Sequence, residues 1–227
     1  MNLQGKGFFI WKIRACEGGD ISAITALAKQ ADLEHVFVKI ADGAFAYNVA
    51  SDGDDLASPL IATLQEAGIE VWGWGYIYGD YPLSEANIAI RRIKETGVTG
   101  YIIDAEGEFK APGKDQAAVI YMNRMRAAYP SLPMALCSYR FPSYHPQFSW
   151  TEFLAKCDIN MPQVYWLLAH NPAEQLTRSV NEFRSMTPHR PIFPIGSAYK
   201  AGSWETTPQD VVVFLETAKS LNLNGAS

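Results

Sequence analysis

Cysteine is scarce in this chain and charge is thin. Its 227 residues include three cysteines, Cys16, Cys137 and Cys157, and no C-x-x-C pair. An odd, scattered trio offers neither a disulfide framework nor a zinc site, so buried free thiols are expected. Charged residues make up 19% of the chain and the formal net charge is −5, where an average soluble domain is roughly 25% charged. Without a basic excess the chain is poorly suited to grip nucleic acid. Nor does it contain a G-x-x-x-x-G-K-[ST] loop or a basic-aromatic run, which removes nucleotide and nucleic-acid readings. No apolar stretch approaches the ~20 residues that span a bilayer, so no membrane partner is expected. Residues 1–7 contain no apolar segment ahead of a small-residue cleavage site. That predicts no signal peptide: the chain stays in the cytoplasm, or leaves by lysis or as part of a larger bacterial or phage assembly. His35, His145, His170 and His189 lack metal-ligand spacing, and nothing in the sequence calls for a cofactor.

Apolar and aromatic residues are plentiful. Hydrophobic residues make up 48% of the chain and aromatics 12%. The pattern reads as strand, loop, helix, repeated seven times across one domain, 1–227. Strands are predicted over 7–13, 35–40, 70–76, 100–106, 134–139, 159–166 and 192–197. Most are short, near-continuous apolar runs, as in parallel strands buried on both faces. Helices are predicted over 21–31, 56–67, 84–96, 115–128, 149–156, 172–186 and 208–221. Asn171-Pro172 and Thr207-Pro208 mark helix starts, and Gly68 and Gly97 mark helix ends.

Joins from helix to strand are tight. Joins from strand to helix, such as 42–55, 107–114, 141–148 and 199–206, are longer and richer in charge, glycine and aromatics. That asymmetry predicts a (β/α)8 TIM-type barrel, whose functional loops follow the strand C-termini. An open doubly wound sheet is the competitor, but no G-x-G-x-x-G follows the first strand. Only seven strands are predicted, and residues 224–227 fall where an eighth should begin. The expectation is therefore a barrel with its eighth strand missing or truncated, since two open sheet edges would invite aggregation.

Side chains alternate along a strand, so Ile102, Asp104 and Glu106 share one face of the fourth strand. Two carboxylates end an otherwise apolar strand at the rim where barrel enzymes work. Close, buried carboxylates cannot both ionise cheaply, and such a pair can divide into proton donor and ionised partner, as in glycoside hydrolysis. Glu106, nearer the loops, is the expected general acid and Asp104 the expected ionised partner. Helix capping or pairing with lysine is the alternative for both.

The segment Gly100-Tyr101-Ile102-Ile103-Asp104-Ala105-Glu106 resembles the fourth-strand D-x-E of lysozyme-like (family 25) and chitinase-like (family 18) barrel glycoside hydrolases. Met161-Pro162-Gln163-Val164-Tyr165-Trp166 is similar to the sixth-strand segment of the chitinase-like branch. With Trp72-Gly73-Trp74-Gly75-Tyr76, the run also resembles bacterial and phage proteins of that superfamily. The resemblance implies a glutamate acid at Glu106, an aspartate at Asp104 that orients a substrate acetamide, and a tyrosine at Tyr165 that contacts the reacting N-acetyl group. Where the chitinase-like motif extends to D-x-x-D-x-D-x-E, this chain has Thr99 and Ile102. The lysozyme-like branch carries an aspartate in its first strand, and residues 8–13 contain none.

Other candidates follow from position. Gln163 shares a face with Tyr165 and can hold a sugar hydroxyl, while Tyr165 can donate to developing charge or simply pack in the core. Trp72, Trp74 and Tyr76 share a face of the third strand. Trp72 is read as core filling; Trp74 and Tyr76, with Tyr139 and Trp166, are read as surfaces for sugar rings, and Tyr144 as a further rim residue. Lys39 and Lys12 interrupt apolar strands and need acid partners. Pairing of Lys39 with Asp104 or Glu106 is expected, and a Schiff-base lysine is the alternative. Asp42 is either a second carboxylate of the reaction or a loop cap, and Glu108 a further loop acid. Together these readings predict a glycoside hydrolase acting on a polysaccharide, peptidoglycan or a chitin-like N-acetylated glycan. A catalytically inactive carbohydrate-binding barrel is the alternative, and a lysine-dependent lyase the third.

Overall fold

The structure is a computed structural model and describes residues 3–227. The chain runs β1 (Gly5–Ile10), α1 (Ile21–Gln30), β2 (His35–Asp42), β3 (Phe45–Ala46), α2 (Ala57–Glu66), β4 (Glu70–Ile77), α3 (Pro82–Thr96) and β5 (Tyr101–Ala105). It continues through α4 (Lys114–Ala128), β6 (Met134–Tyr139), α5 (Trp150–Leu154), β7 (Ile159–Gln163), α6 (Pro172–Arg184), β8 (Lys200–Ala201), β9 (Trp204–Glu205), α7 (Pro208–Ser220) and β10 (Gly225–Ala226). Among the described residues no helix is long and apolar enough to cross a membrane.

β10, β1, β2, β4, β5, β6 and β7 are successive neighbours in one parallel sheet. Residues 192–197 complete the ring. Ile192 and Ile195 bridge Asn160 and Gln163 of β7. On the other side, the Ser227 N–H donates to the Pro194 carbonyl at 3.0 Å and the Gly196 N–H to the Ser227 carbonyl at 2.7 Å. This is the expected (β/α)8 arrangement, and its eighth strand is short: β10 has two residues. Residues 192–197 make bridges rather than a regular strand because Pro191 and Pro194 supply no N–H to a ladder. The first strand stops at Ile10, so Lys12 lies exposed in a loop rather than interrupting a strand. The β2–β3 turn and the small β8–β9 hairpin form within segments predicted as plain loops.

Alternation along the strands divides the core in two. Inward side chains, including Phe37, Trp72, Ile102, Met161 and Phe193, fill the barrel. Outward ones, including Val36, Val38, Ile103 and Leu136, meet Leu60, Leu64, Met122 and Val180 of the helices. Gly100 makes room for the interior: a Cβ there would lie 2.3 Å from the Trp72 ring. Helix punctuation follows the sequence. Thr207 and Asp210 form a reciprocal capping box at the start of α7, and Gly97 ends α3 in the left-handed conformation at φ 68.

One irregularity positions the rim. Lys39 pairs with Trp74 and Ala41 with Gly75, so Ile40 is an extra residue in β2. This bulge reverses the alternation and turns Lys39 and Asp42 to the same side. Arg92, buried on α3, donates to the Ile40 carbonyl at 3.3 Å and pairs with Asp55 at 2.7 Å and Glu95 at 2.9 Å. Burial raises the Asp55 carboxyl, but hydrogen bonds from Arg92 and Ser58 outweigh it and hold the group below its ordinary value.

Replacing Arg92 with Met should therefore cost about 1–3 kcal/mol in urea denaturation, because a half-buried acid and a buried carbonyl lose their partner. A depressed carboxyl stabilises the fold above its unfolded pKa and loses that contribution as the pH falls. The gap between wild type and variant should narrow below about pH 4; a gap independent of pH would assign the loss to packing alone.

Candidate active site

The inward face of β5 ends in Asp104, and Glu106 follows just past the last strand residue. Asp104 is 9% exposed and Glu106, one strand step nearer the loops, is half-buried. From β7, the Gln163 Nε2 amide donates to Glu106 Oε1 at 2.9 Å and lies 3.3 Å from Asp104 Oδ1 and 3.3 Å from Cys137 Sγ. One amide nitrogen thus holds both carboxyl groups. Register explains the meeting: Asp104 lies opposite Cys137, and Tyr139 on the same strand opposite Gln163.

Burial, and then the charge of Glu106, pushes Asp104 up to about 8, against the Cys137 hydrogen bond and the positive charge of Lys39. The shift favours the neutral acid at Asp104. This direction runs against the expectation of an ionised Asp104, and the reason is depth: the carboxyl lies low between neighbouring strands, with little water about it.

Asp104 borders a cavity of about 540 Å³, lined also by Cys137, Gln163, Trp74, Tyr165, Tyr199, Ile195 and the β1 residues Phe8 and Phe9, with Trp11 beyond them; Glu106 reaches it through Gln163. Trp74 is fixed by donation from Nε1 to the Ile10 carbonyl at 3.2 Å and by the edge of Phe9, with ring centroids 5.9 Å apart. Tyr165 meets Tyr199 edge-on at 5.7 Å, and burial raises its phenol well above the ordinary value. Tyr76, next to Asp104 across the β4–β5 register, donates to Glu108 Oε2 at 2.7 Å. Burial and then that bond raise its phenol too, so it remains a neutral donor.

Lys39 does not join the dyad. Its side chain pairs with Asp42 at 3.3 Å, the contact the β2 bulge creates. Three rings enclose the ammonium, Tyr47 at 4.4 Å, Trp74 at 4.9 Å and Trp11 at 5.4 Å. Burial lowers its pKa and Asp42 opposes the shift. Asp42 is therefore neither a cap nor a group inside the carboxylate cavity; it neutralises Lys39 and accepts from Tyr78 at 3.1 Å.

Two expected sugar platforms lie elsewhere. Trp166 is buried away from the cavity, packed on Phe214 of α7 at 5.0 Å and donating to Thr206 at 3.1 Å. Since β7 ends at Gln163, Trp166 falls outside the strand and on the outward side. Tyr139 sits at the rim, stacked on His145 at 3.7 Å under the Lys110 ammonium at 4.1 Å. Tyr144 lies outside, 62% exposed, and accepts from Arg178. Sequence reasoning missed Cys137, Trp11 and Tyr199. Alternation along β6 signals Cys137, two residues from inward Ala135, whereas the other two stand in irregular segments with no period to read.

No protein-family model matches this sequence, and no curated protein is detectably similar to it. Solved structures share its fold. A chitinase from Bacteroides thetaiotaomicron superposes with a TM-score of 0.71 at 8% identity, covering 99% of this chain and 88% of its own. The active domain 2 of a thermostable chitinase from Pyrococcus furiosus, complexed with chito-oligosaccharides, gives 0.69 at 14% identity, covering 99% and 83%. A GH2 β-galacturonidase from Eisenbergiella tayi bound to galacturonate gives 0.71 at 14% identity over 99% of this chain, which spans 43% of that enzyme. All three are glycoside hydrolases by description, and at these identities the likeness is one of fold.

A raised carboxyl destabilises the fold as the pH climbs, because the unfolded state gives up its proton first. Between about pH 4 and 8, wild-type stability should fall, by something on the order of a few kcal/mol. Asp104→Asn should remove that slope and melt above wild type at pH 8 but not at pH 4. Parallel melting curves for the two proteins across this range would count against a protonated Asp104.

Proposed function

We propose that this chain is a glycoside hydrolase acting on an N-acetylated glycan, chitin-like or peptidoglycan, in the cavity above Asp104 and Glu106. The observation that carries the reading is the Gln163 amide bound to both carboxyl groups at the strand-end rim of a barrel. Catalytic groups of this architecture gather at that rim, and the fold neighbours that include chitinases agree with it.

Glu106 is the general acid, since it stands nearer the loops and a scissile oxygen above the cavity. The proton belongs to the pair: Asp104 holds it in the resting site, and Glu106 delivers it once it has passed outward to that carboxyl. The Gln163 amide restrains both groups, so the proton donor is aimed before substrate arrives. The nucleophile is the substrate's own acetamide oxygen: as it bonds to the anomeric carbon the glycosidic C–O bond breaks, and the departing oxygen takes the Glu106 proton. Tyr165, a neutral phenol lining the cavity, donates to the acetamide oxygen and holds it in line before attack; water then opens the cyclic intermediate and returns a proton to Glu106. Trp74 and Phe9 offer apolar walls to the sugar ring and acetyl methyl. A sugar-binding barrel without turnover is the second reading. Ile102, fully buried one step below Asp104, favours it, because an acid stands there in the fuller chitinase-like motif.

Chito-oligosaccharides and peptidoglycan fragments, resolved by mass spectrometry after incubation, separate these readings. Glu106→Gln keeps the shape and removes the donor, so turnover should fall by roughly two to four orders of magnitude. Tyr165→Phe should lower kcat more than it weakens binding. Wild-type turnover in Glu106→Gln would overturn the assignment, and binding without product in wild type would favour the second reading.

A further inference from the structure

A second cavity, of about 530 Å³, lies beside the first, over the loops that follow β2 and β4. It falls within the roughly 300–1,000 Å³ usual for ligand pockets. Four aromatic residues line it: Phe45, 76% exposed, Tyr81, 70% exposed, Tyr78 and the half-buried Tyr47. Large rings left in water are costly, and a cluster of them around a depression marks a surface that something covers.

The cleft is preformed. The Tyr78 hydroxyl donates to Asp42, and its ring meets Tyr76 with centroids 4.9 Å apart. Gly43, at φ 53, admits that ring, since a Cβ there would lie 2.9 Å from it. Beneath Tyr78 and Tyr81 the loop backbone is pinned by the buried Glu85 carboxylate, which accepts from the N–H groups of residues 78, 79, 80 and 81 at 2.9–3.0 Å. A platform held so firmly loses little freedom when a ligand settles on it.

The two cavities share a wall. The Lys39 ammonium stands between Tyr47, which lines the second, and Trp11 and Trp74, which line the first. Its ion partner Asp42 faces the second. Flat apolar rings beside a carboxylate acceptor match a pyranose, which has an apolar C–H face and a rim of hydroxyl donors. We infer that the cleft of Phe45, Tyr78 and Tyr81 is a second saccharide subsite, holding units of the glycan next to the one above Asp104 and Glu106. The inference rests on the glycan reading and deepens it: the ligand is an oligosaccharide that spans both cavities.

Calorimetric titration with chitobiose and chitohexaose tests it. The hexamer should bind wild type at least about tenfold more tightly than the dimer, which is too short to span both cavities. Phe45→Ala with Tyr81→Ala should weaken the hexamer by about tenfold and so erase the dependence on length. Phe45→Trp, which keeps a flat face, should retain it. Both positions are exposed, and unchanged melting curves establish that the variants fold. Equal affinities of wild type for the two oligomers, or a length preference that survives the double substitution, would overturn the subsite and leave the glycan reading standing. Failure of wild type to bind either oligomer would overturn both.

Discussion

A carboxyl group buried inside a parallel barrel organises this molecule. Asp104 sits where strands shut out water, and the protein offers it an amide, a thiol and a distant ammonium rather than a direct ion pair. Under those terms the cheap state is the neutral acid. Everything nearby is consistent with one proton fewer to lose: Gln163 bridges the two acids, Tyr76 and Tyr165 stay neutral, and the lysine closest to the site spends its charge on Asp42. The dyad is thereby spared a direct ion pair with Lys39, whose charge reaches Asp104 only from a distance.

That insulation depends on a backbone irregularity and its brace. Without the extra residue at Ile40, Lys39 and Asp42 would face opposite sides of the sheet and the ammonium would have to find Asp104 or Glu106. Arg92 reaches from α3 to the Ile40 carbonyl and anchors itself on Asp55 and Glu95. A helix on the outer layer therefore fixes which charges meet on the inner one. The same bulge delivers Asp42 to Tyr78, so the aromatic cleft and the carboxylate cavity derive from one local distortion.

Much of this was readable in the residues. Short apolar runs separated by amphipathic helices state the barrel, and the period-two rule puts Asp104 and Glu106 on one face and Gln163 among the inward positions of its strand. What escaped are features without a local signature. A bulge is one residue of slippage between strands, invisible in the run Val36-Phe37-Val38-Lys39-Ile40. Trp166 reads as part of a strand end, but Gln163 is the last paired residue. The protonation of Asp104 is a property of burial by distant strands, so the sequence shows the pair but not which member keeps the proton.

The most direct test of this account is a carbon-13 NMR titration of the Asp104 carboxyl, assigned by its loss in Asp104→Asn. The structure predicts a midpoint near 8, shifting downward in Glu106→Gln, where the neighbouring charge is gone. A midpoint in the ordinary carboxylate range, near about 4, or one indifferent to Glu106, would contradict the buried, proton-holding dyad.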